Sequence, residues 1–208
     1  MPLELGSLRS VRACADKVLA GYARIDVLIN NAGVFPPDFR PTQDGFETQI
    51  GVNHLGHFLL TNLLLDKLAT SAPARVVTVS SMMHAGGKID FASFCNPEKY
   101  SAMAAYRQSK LANILFANEL GRRLATRGVA TEIARDSPLW MRAFMRVAGT
   151  TPAKGARTSI FLASSPEVEG VTGEYFVSCK PAKTDPLAGD RALAKRLWDE
   201  SASLIGLA

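Results

Sequence analysis

Cysteine and histidine are scarce in this sequence, which has three of each among 208 residues. Cys14, Cys95 and Cys179 are too far apart along the chain for a disulfide framework or a thiolate metal site. The histidines lack the spacing of metal ligands, so we predict no metal site and interpret His57 and His84 as structural or surface residues. This use of cysteine is typical of a reducing compartment, and we predict a cytoplasmic protein.

Long hydrophobic runs are also absent. The most apolar long stretch, residues 55–69, is interrupted by His57, Asn62, Asp66 and Lys67. The first ten residues lack a basic region followed by an apolar one. These absences predict a protein with no membrane span and no secretory signal.

Neither sign of charge dominates the chain. Lysine and arginine number 24 against 19 aspartates and glutamates, a net charge of +5, and the basic residues are scattered. This balance is too weak and too dispersed for a nucleic-acid-binding protein, although it permits acidic ligands such as nucleotide phosphates.

The chain has enough hydrophobic residues to form one core. Hydrophobic residues make up 47% of the chain and charged residues 21%. This composition excludes a disordered or collagen-like chain. No internal repeat, low-complexity segment or change of composition marks a linker, so we predict a single domain over residues 1–208.

Helical and strand patterns alternate along the chain. Ser7 is a plausible N-cap for a helix that ends at Gly21, and Thr151 before Pro152 is typical of a helix start. The patterns further predict strands at 26–30, 75–80 and 174–179, helices at 44–68 and 101–126, and a last helix that begins at Asp190. Strands separated by helices indicate an α/β fold with a mainly parallel sheet.

Tyr106 and Lys110 stand four residues apart in a predicted helix, so their side chains share one face. A phenol is a poor acid or base at neutral pH, but a neighbouring ammonium favours its ionised form. Ser81 closes a buried strand, where its hydroxyl could hold a substrate oxygen. Taken singly, each of these residues also fits an ordinary surface or loop position.

Four motifs occur in a fixed order along the chain. They are NNAG at 30–33, Asn53 within VNHLGHFLLT, VSS at 79–81 and the Tyr-x-x-x-Lys pair at 106–110. In this order they resemble the short-chain dehydrogenase/reductase family, from about Leu3 to the C-terminus. The flanking text, such as YRQSKLANILFANEL, resembles the branch of retinol dehydrogenases and WW-domain oxidoreductases.

The resemblance implies a Rossmann-like, doubly wound fold and a catalytic set of four residues. By resemblance, Tyr106 gives a proton to a carbonyl or takes one from an alcohol, and Lys110 favours the ionised form of the phenol. Ser81 would orient the substrate oxygen, and Asn53 would hold a water that links Lys110 to solvent.

The resemblance also implies NADP or NAD as the cofactor. Asn31, Ala32 and Gly33 would lie along its adenosine part, and Glu4 with Leu5 would meet the adenine. Thr131 would meet the nicotinamide amide or a phosphate, while Tyr106 and Lys110 would contact the nicotinamide ribose.

The sequence departs from the family pattern at two places. A family member begins with a strand and a T-G-x-x-x-G-I-G loop, whereas the resemblance begins here at Leu3 to Leu5, which resembles the third family strand. We therefore expect the first strands of the sheet to be missing, about 60 residues at ~30 per βαβ unit. The apolar face of helix 7–21, including Val11 and Val18, would then lose burial partners. Within residues 126–132 the chain lacks about ten residues, a strand and its turn, that the family pattern leads us to expect there.

Two functions remain open at this point. The first is an NAD(P)-dependent oxidoreductase acting on an alcohol or carbonyl compound. The apolar residues within 133–148 indicate a lipophilic substrate, although they equally fit a cap over the core: Leu139, Trp140, Met141, Phe144 and Met145. The second is a catalytically inactive family member that acts by protein association. A homodimer through the two long helices is implied by the resemblance in either case.

Overall fold

A computed structural model describes residues 1–125, 129–135 and 152–207. Its helices are α1 (Leu8–Gly21), α2 (Thr48–Ile50), α3 (Gly56–Thr70), α4 (Ala102–Leu124), α5 (Pro152–Ser164) and α6 (Arg191–Leu204). Its strands are β1 (Val27–Asn30), β2 (Ala74–Ser80), β3 (Val129–Arg135), β4 (Tyr175–Val177) and β5 (Lys180–Pro181). Thr151 and the apolar segment from Leu139 to Met145 lie outside the described residues.

The sheet has the order β1-β2-β3-β4-β5. The first four strands are parallel, and only β5 runs antiparallel to its neighbour β4. β2 is buried on both faces, because Val76 packs in the cluster of α3 and α4 while Val77 and Val79 pack against α5. The predicted α/β fold with a mainly parallel, doubly wound sheet is therefore confirmed.

The first helix forms as predicted but is better buried than expected. Ser7 caps α1 by accepting a hydrogen bond from the amide of Ser10. Val11 and Ala15 are fully buried and belong to the same core cluster as Leu64 of α3. The expectation that this apolar face loses its burial partners is wrong for Val11, because α1 packs directly on α3, whereas Val18 packs against the same cluster but is only partly buried.

The sheet has no gap after α4, which corrects the expectation that a later strand is missing. Residues 129–135 form β3, which pairs with β2 along its whole length and with β4 at Ile133 and Ala134. Backbone groups between two strands need partners, and this segment supplies them. Thr131 consequently lies in the middle of a strand.

The segment from Leu3 to Leu5 forms no strand, contrary to its resemblance to the third family strand. Its polar groups find local partners instead: the amide of Glu4 donates to Ser10 Oγ, and the amide of Gly6 donates to Glu4 Oε1. The described sheet ends at β1, so no neighbouring strand is present to pair with this segment.

The long helix predicted at 44–68 contains a π-helical segment, Gly51–Leu55, between α2 and α3. The two glycines at its borders, Gly51 and Gly56, are sites of close packing. A Cβ on Gly51 would lie 2.6 Å from Thr42 Cγ2, and one on Gly56 would lie 2.5 Å from the carbonyl oxygen of Leu5. This packing holds the wide turn, and with it Asn53, against the preceding loop.

Within the described residues, none of the helices is long and apolar enough to span a bilayer. The longest, α4, has arginine in its last turn and places polar side chains along its buried face.

We predict that Gly56→Ala destabilises the fold by about 1–3 kcal/mol, because the new methyl group meets backbone rather than a flexible side chain. The matched control is Gly21→Ala, since a Cβ on Gly21 meets nothing within 4 Å. There the substitution is expected to stabilise the helix end by roughly 0.5–1 kcal/mol. Urea unfolding followed by circular dichroism measures both changes, and equal stabilities of the two variants would contradict this packing.

Candidate active site

The predicted catalytic residues gather at the carboxyl edge of the sheet. Ser81 directly follows β2, and Tyr106 and Lys110 lie on the face of α4 that packs on this strand. The carbonyl oxygen of Val79 accepts hydrogen bonds from Lys110 Nζ at 3.2 Å and from Asn113 Nδ2 at 3.0 Å. Ser80 Oγ donates to the backbone oxygen of Lys110 at 2.7 Å. The helix is thus fastened to the strand at the position of the lysine.

Tyr106 and Lys110 are both buried and face each other as their spacing predicts. Each is 4% exposed, and Lys110 Nζ lies 5.7 Å from the centroid of the Tyr106 ring. Phe35 packs against the tyrosine edge-on, with 5.2 Å between ring centroids. An ammonium group this close to a phenol, away from bulk water, favours the phenolate form electrostatically.

Asn53 and Gly33 meet the lysine from the other side. Asn53 Oδ1 accepts from the amide of Val34, and its Nδ2 donates to Ser109 Oγ on α4 at 3.0 Å. A Cβ on Gly33 would lie 3.4 Å from Asn53 Oδ1 and 3.5 Å from Lys110 Nζ. Three of the predicted residues therefore converge on one point, where only a glycine leaves the space before the lysine open.

Ser81 is fully buried and caps the short 3₁₀ turn Met82–His84. Its Oγ accepts a hydrogen bond from the amide of Met83 at 3.2 Å. Its backbone oxygen lies 2.7 Å from Nδ1 of His84. The serine is held by its own turn, at the end of the strand to which the lysine is fastened.

Three of the predicted cofactor residues are not brought to this place. Thr131 pairs with Val76, which lies four residues before Ser80 at the end of β2. At the usual rise of a strand, Thr131 is therefore about 13 Å from the carboxyl edge of the sheet. Its side chain faces Gly121 of α4. The structure does not bring Thr131 to the other predicted residues, because its segment fills the sheet as β3, and its role stays a prediction.

Glu4 and Leu5 lie beside the segment that carries Asn53, but the side chain of Leu5 points into the core. Leu5 is buried in the core cluster and contacts Gly56, so its side chain is not available to a flat ligand. The Glu4 carboxylate accepts from the amide of Gly6. Asn31 and Ala32 are exposed directly after β1, beside Gly33, and their role stays a prediction.

The histidines are buried and structural rather than exposed. Nδ1 of His57 bonds the backbone oxygen of Asn53 at 3.0 Å, and Nε2 of His54 bonds Ser201 Oγ of α6 at 2.9 Å. Sequence reasoning missed these contacts, although the spacing of four between Asn53 and His57 permits one of them. Among the described residues, no three His, Cys, Asp or Glu side chains are grouped as a metal site.

Burial lowers the pKa of two of these histidines strongly. Desolvation is the largest cause and lowers the pKa of His54 to about 3 and, with a smaller contribution from the charge of Lys110, the pKa of His57 to about 4. Both imidazoles are therefore neutral at neutral pH, so Lys110 is the cation next to Asn53.

Comparisons with known proteins show the family to which the chain belongs. The family model for short chain dehydrogenases matches residues 1–136. The chain belongs to the short-chain dehydrogenase family. It is 47% identical to human retinol dehydrogenase 14 over 221 residues, which cover 99% of this chain and 66% of that protein. It is 44% identical to human retinol dehydrogenase 13, covering 99% of this chain and 68% of that protein.

Two solved structures share the fold of this chain. An uncharacterised protein from Mycobacterium paratuberculosis is 38% identical, with a TM-score of 0.80 over 98% of this chain and 74% of that one. The Pseudomonas aeruginosa RhlG/NADP active-site complex is 22% identical, with a TM-score of 0.66 over 85% of this chain and 73% of that one. The chain spans about two thirds of the length of the curated relatives it matches.

We predict that the free energy of unfolding decreases as the pH falls below 6.5. The unfolded chain protonates His54 and His57 near that pH, whereas the folded chain keeps them neutral down to about 3 and 4. The unfolded state thus binds more protons, and each histidine contributes a loss of about 1.4 kcal/mol per pH unit below 6.5. Urea unfolding at pH 7, 6 and 5 measures this slope.

The matched variant is His54→Gln, which retains a polar side chain toward Ser201 but cannot titrate. Between pH 6 and 5, the slope of its free energy of unfolding against pH should be smaller by the equivalent of about one proton. Glu47, whose pKa burial raises, acts in the opposite direction in both proteins and cancels in the comparison. Identical slopes would show that His54 is not desolvated in the folded chain.

Proposed function

We propose that this chain carries the catalytic half of a nicotinamide-dependent oxidoreductase that interconverts an alcohol and a carbonyl compound. The observation that carries the proposal is the convergence of Lys110, Asn53 and Gly33 beside Tyr106 at the carboxyl edge of a parallel sheet. Ligands of open α/β sheets bind at this edge. Membership of the short-chain dehydrogenase family supports the same reaction class.

The residues present fit the nicotinamide end of NADP or NAD. Gly33 leaves room in front of Lys110 Nζ that any larger residue would fill, and Asn31 and Ala32 extend this exposed backbone along the same rim. Lys110 and Tyr106 would hold the ribose. Glu4 and Leu5 do not fit the adenine end in this arrangement, because Leu5 is part of the core.

The cofactor, when bound, supplies or accepts the hydride, and the chain supplies the proton chemistry. In the reductive direction the Tyr106 hydroxyl gives its proton to the carbonyl oxygen, and the phenolate that forms is stabilised by the ammonium of Lys110. In the oxidative direction the phenolate takes the proton of the alcohol. The Ser81 hydroxyl donates a hydrogen bond to the same substrate oxygen and fixes its position.

The substrate that we propose is a lipophilic alcohol, aldehyde or ketone. The relatives named as retinol dehydrogenases support this class, as does the apolar content of residues 133–148 in the sequence. Separate titrations of the chain with NADPH and with NADH decide between the two cofactors.

One feature favours the second candidate, a chain that acts by association. β1 is the edge strand of the described sheet, and its Val27 and Ile29 are 36% and 43% exposed. An apolar edge strand is a template for pairing with another chain. The two functions are separated by turnover, which association alone does not require.

Tyr106→Phe removes the proton donor and retains the ring that packs on Phe35. We expect kcat to fall by about 10²–10⁴-fold, the range of general acid–base catalysis, while the affinity for the cofactor stays largely intact because Lys110 retains its contact with the ribose. The assay follows nicotinamide absorbance with retinol and a series of lipophilic ketones and alcohols. The control is Tyr100→Phe, because the Tyr100 hydroxyl bonds Gln49 and Pro36 outside the site and its loss should leave kcat unaltered.

Lys110→Ala should lose turnover and cofactor affinity together, since the lysine serves both. Turnover of Tyr106→Phe equal to that of the unsubstituted chain would show that the phenol takes no part in proton transfer.

A further inference from the structure

His84 joins two parts of the chain that are 101 residues apart. Its imidazole is buried, with Nδ1 at 2.7 Å from the backbone oxygen of Ser81 and Nε2 at 3.1 Å from the amide nitrogen of Asp185. A carbonyl oxygen only accepts and a backbone amide only donates. The ring therefore carries its proton on Nδ1, accepts at Nε2, and is held as one neutral tautomer.

The partner segment of His84 is itself fixed. The Asp185 carboxylate caps the 3₁₀ turn Pro186–Gly189 by accepting from Leu187, and it also accepts from the amide of Gly86 at 3.3 Å. The Tyr175 ring of β4 packs edge-on against the imidazole, with 5.3 Å between centroids. Two hydrogen-bonded links and one ring contact thus lock the turn after β2 to the C-terminal segment.

This lock acts on the peptide group of Ser81. Its carbonyl accepts from the His84 imidazole and, at 3.1 Å, from the His84 backbone amide, and its Oγ accepts from the amide of Met83. A hydroxyl oxygen that accepts one hydrogen bond still carries one rotatable proton, so the Ser81 hydroxyl can also donate a hydrogen bond to a further group. The orientation of the hydroxyl therefore depends on how His84 holds the turn.

We infer that His84 is the positioning residue for Ser81, and that it makes the orientation of the serine hydroxyl depend on the C-terminal segment at Asp185. The inference rests on the proposed function, in which Ser81 donates to the substrate oxygen. A neutral imidazole suits this place because it presents a donor and an acceptor on different edges of one rigid ring.

The first test is kinetic. His84→Ala should lower kcat about tenfold through a misplaced Ser81 and leave the affinity for the cofactor unchanged. Combined with Ser81→Ala, it should cause no further loss, because two residues that act as a unit are not additive. His84→Asn retains a donor toward the Ser81 carbonyl and should restore most of kcat. Additive losses would overturn the inference.

The second test removes the other end of the lock. Asp185→Pro deletes the amide that donates to Nε2, and the φ of −58° at Asp185 suits proline. Asp185→Ala is the matched control, since it loses the same carboxylate but retains the amide. We expect a lower kcat for the proline variant than for the alanine variant, whereas equal values would contradict the coupling to Asp185.

The third test does not need turnover. In long-range ¹H–¹⁵N spectra of the unsubstituted chain at neutral pH, His84 should show a protonated Nδ1 and an unprotonated Nε2. The Met83 amide should be protected from hydrogen exchange in the unsubstituted chain. This protection should be weaker in His84→Ala and should return in His84→Asn. A proton on Nε2, or unchanged protection in His84→Ala, would overturn the inference. If no variant turns over substrate, the proposed function fails, and these spectra still decide the role of His84.

Discussion

The carbonyl oxygen of Val79 is the contact on which the site depends. It accepts from both Lys110 and Asn113, and together with the bond from Ser80 to the backbone of Lys110 it fixes α4 on β2. A buried ammonium is costly unless hydrogen bonds compensate its lost hydration. The same bonds that compensate this cost place Tyr106 beside the end of β2. Folding energetics and the geometry of proton transfer are therefore linked through one lysine.

The parts of the fold that the sequence predicts are those with local causes. β2 follows from a run of β-branched residues, α1 from the Ser7 cap, and α6 from Asp190, whose carboxylate accepts from Ala192 and Leu193. The pair Tyr106 and Lys110 is predictable for the same reason, because a spacing of four sets a shared helix face whatever surrounds it.

The errors concern residues whose conformation is decided by distant partners. The sequence around Thr131 indicates a cofactor contact. The place between β2 and β4 requires a strand, however, and the segment of Thr131 forms that strand. Residues 3–5 form no strand for the opposite reason, since the described sheet ends at β1 and offers them no pairing strand. β4 ends at Val177, two residues before the predicted end, because Ser178 and Cys179 turn the chain with positive φ. His84 gained its role from Asp185, 101 residues away, which no local pattern contains.

The most direct test of this account is a fluorescence titration of the 208-residue chain with NADPH and with NADH, paired with a thermal melt. The account predicts saturable binding of at least one of them, a melt stabilised by about 2.7 kcal/mol at 100 times Kd, and loss of both effects in Lys110→Ala. A cooperative melt that neither nucleotide shifts would contradict it, because the chain would then be folded and its nicotinamide site non-functional.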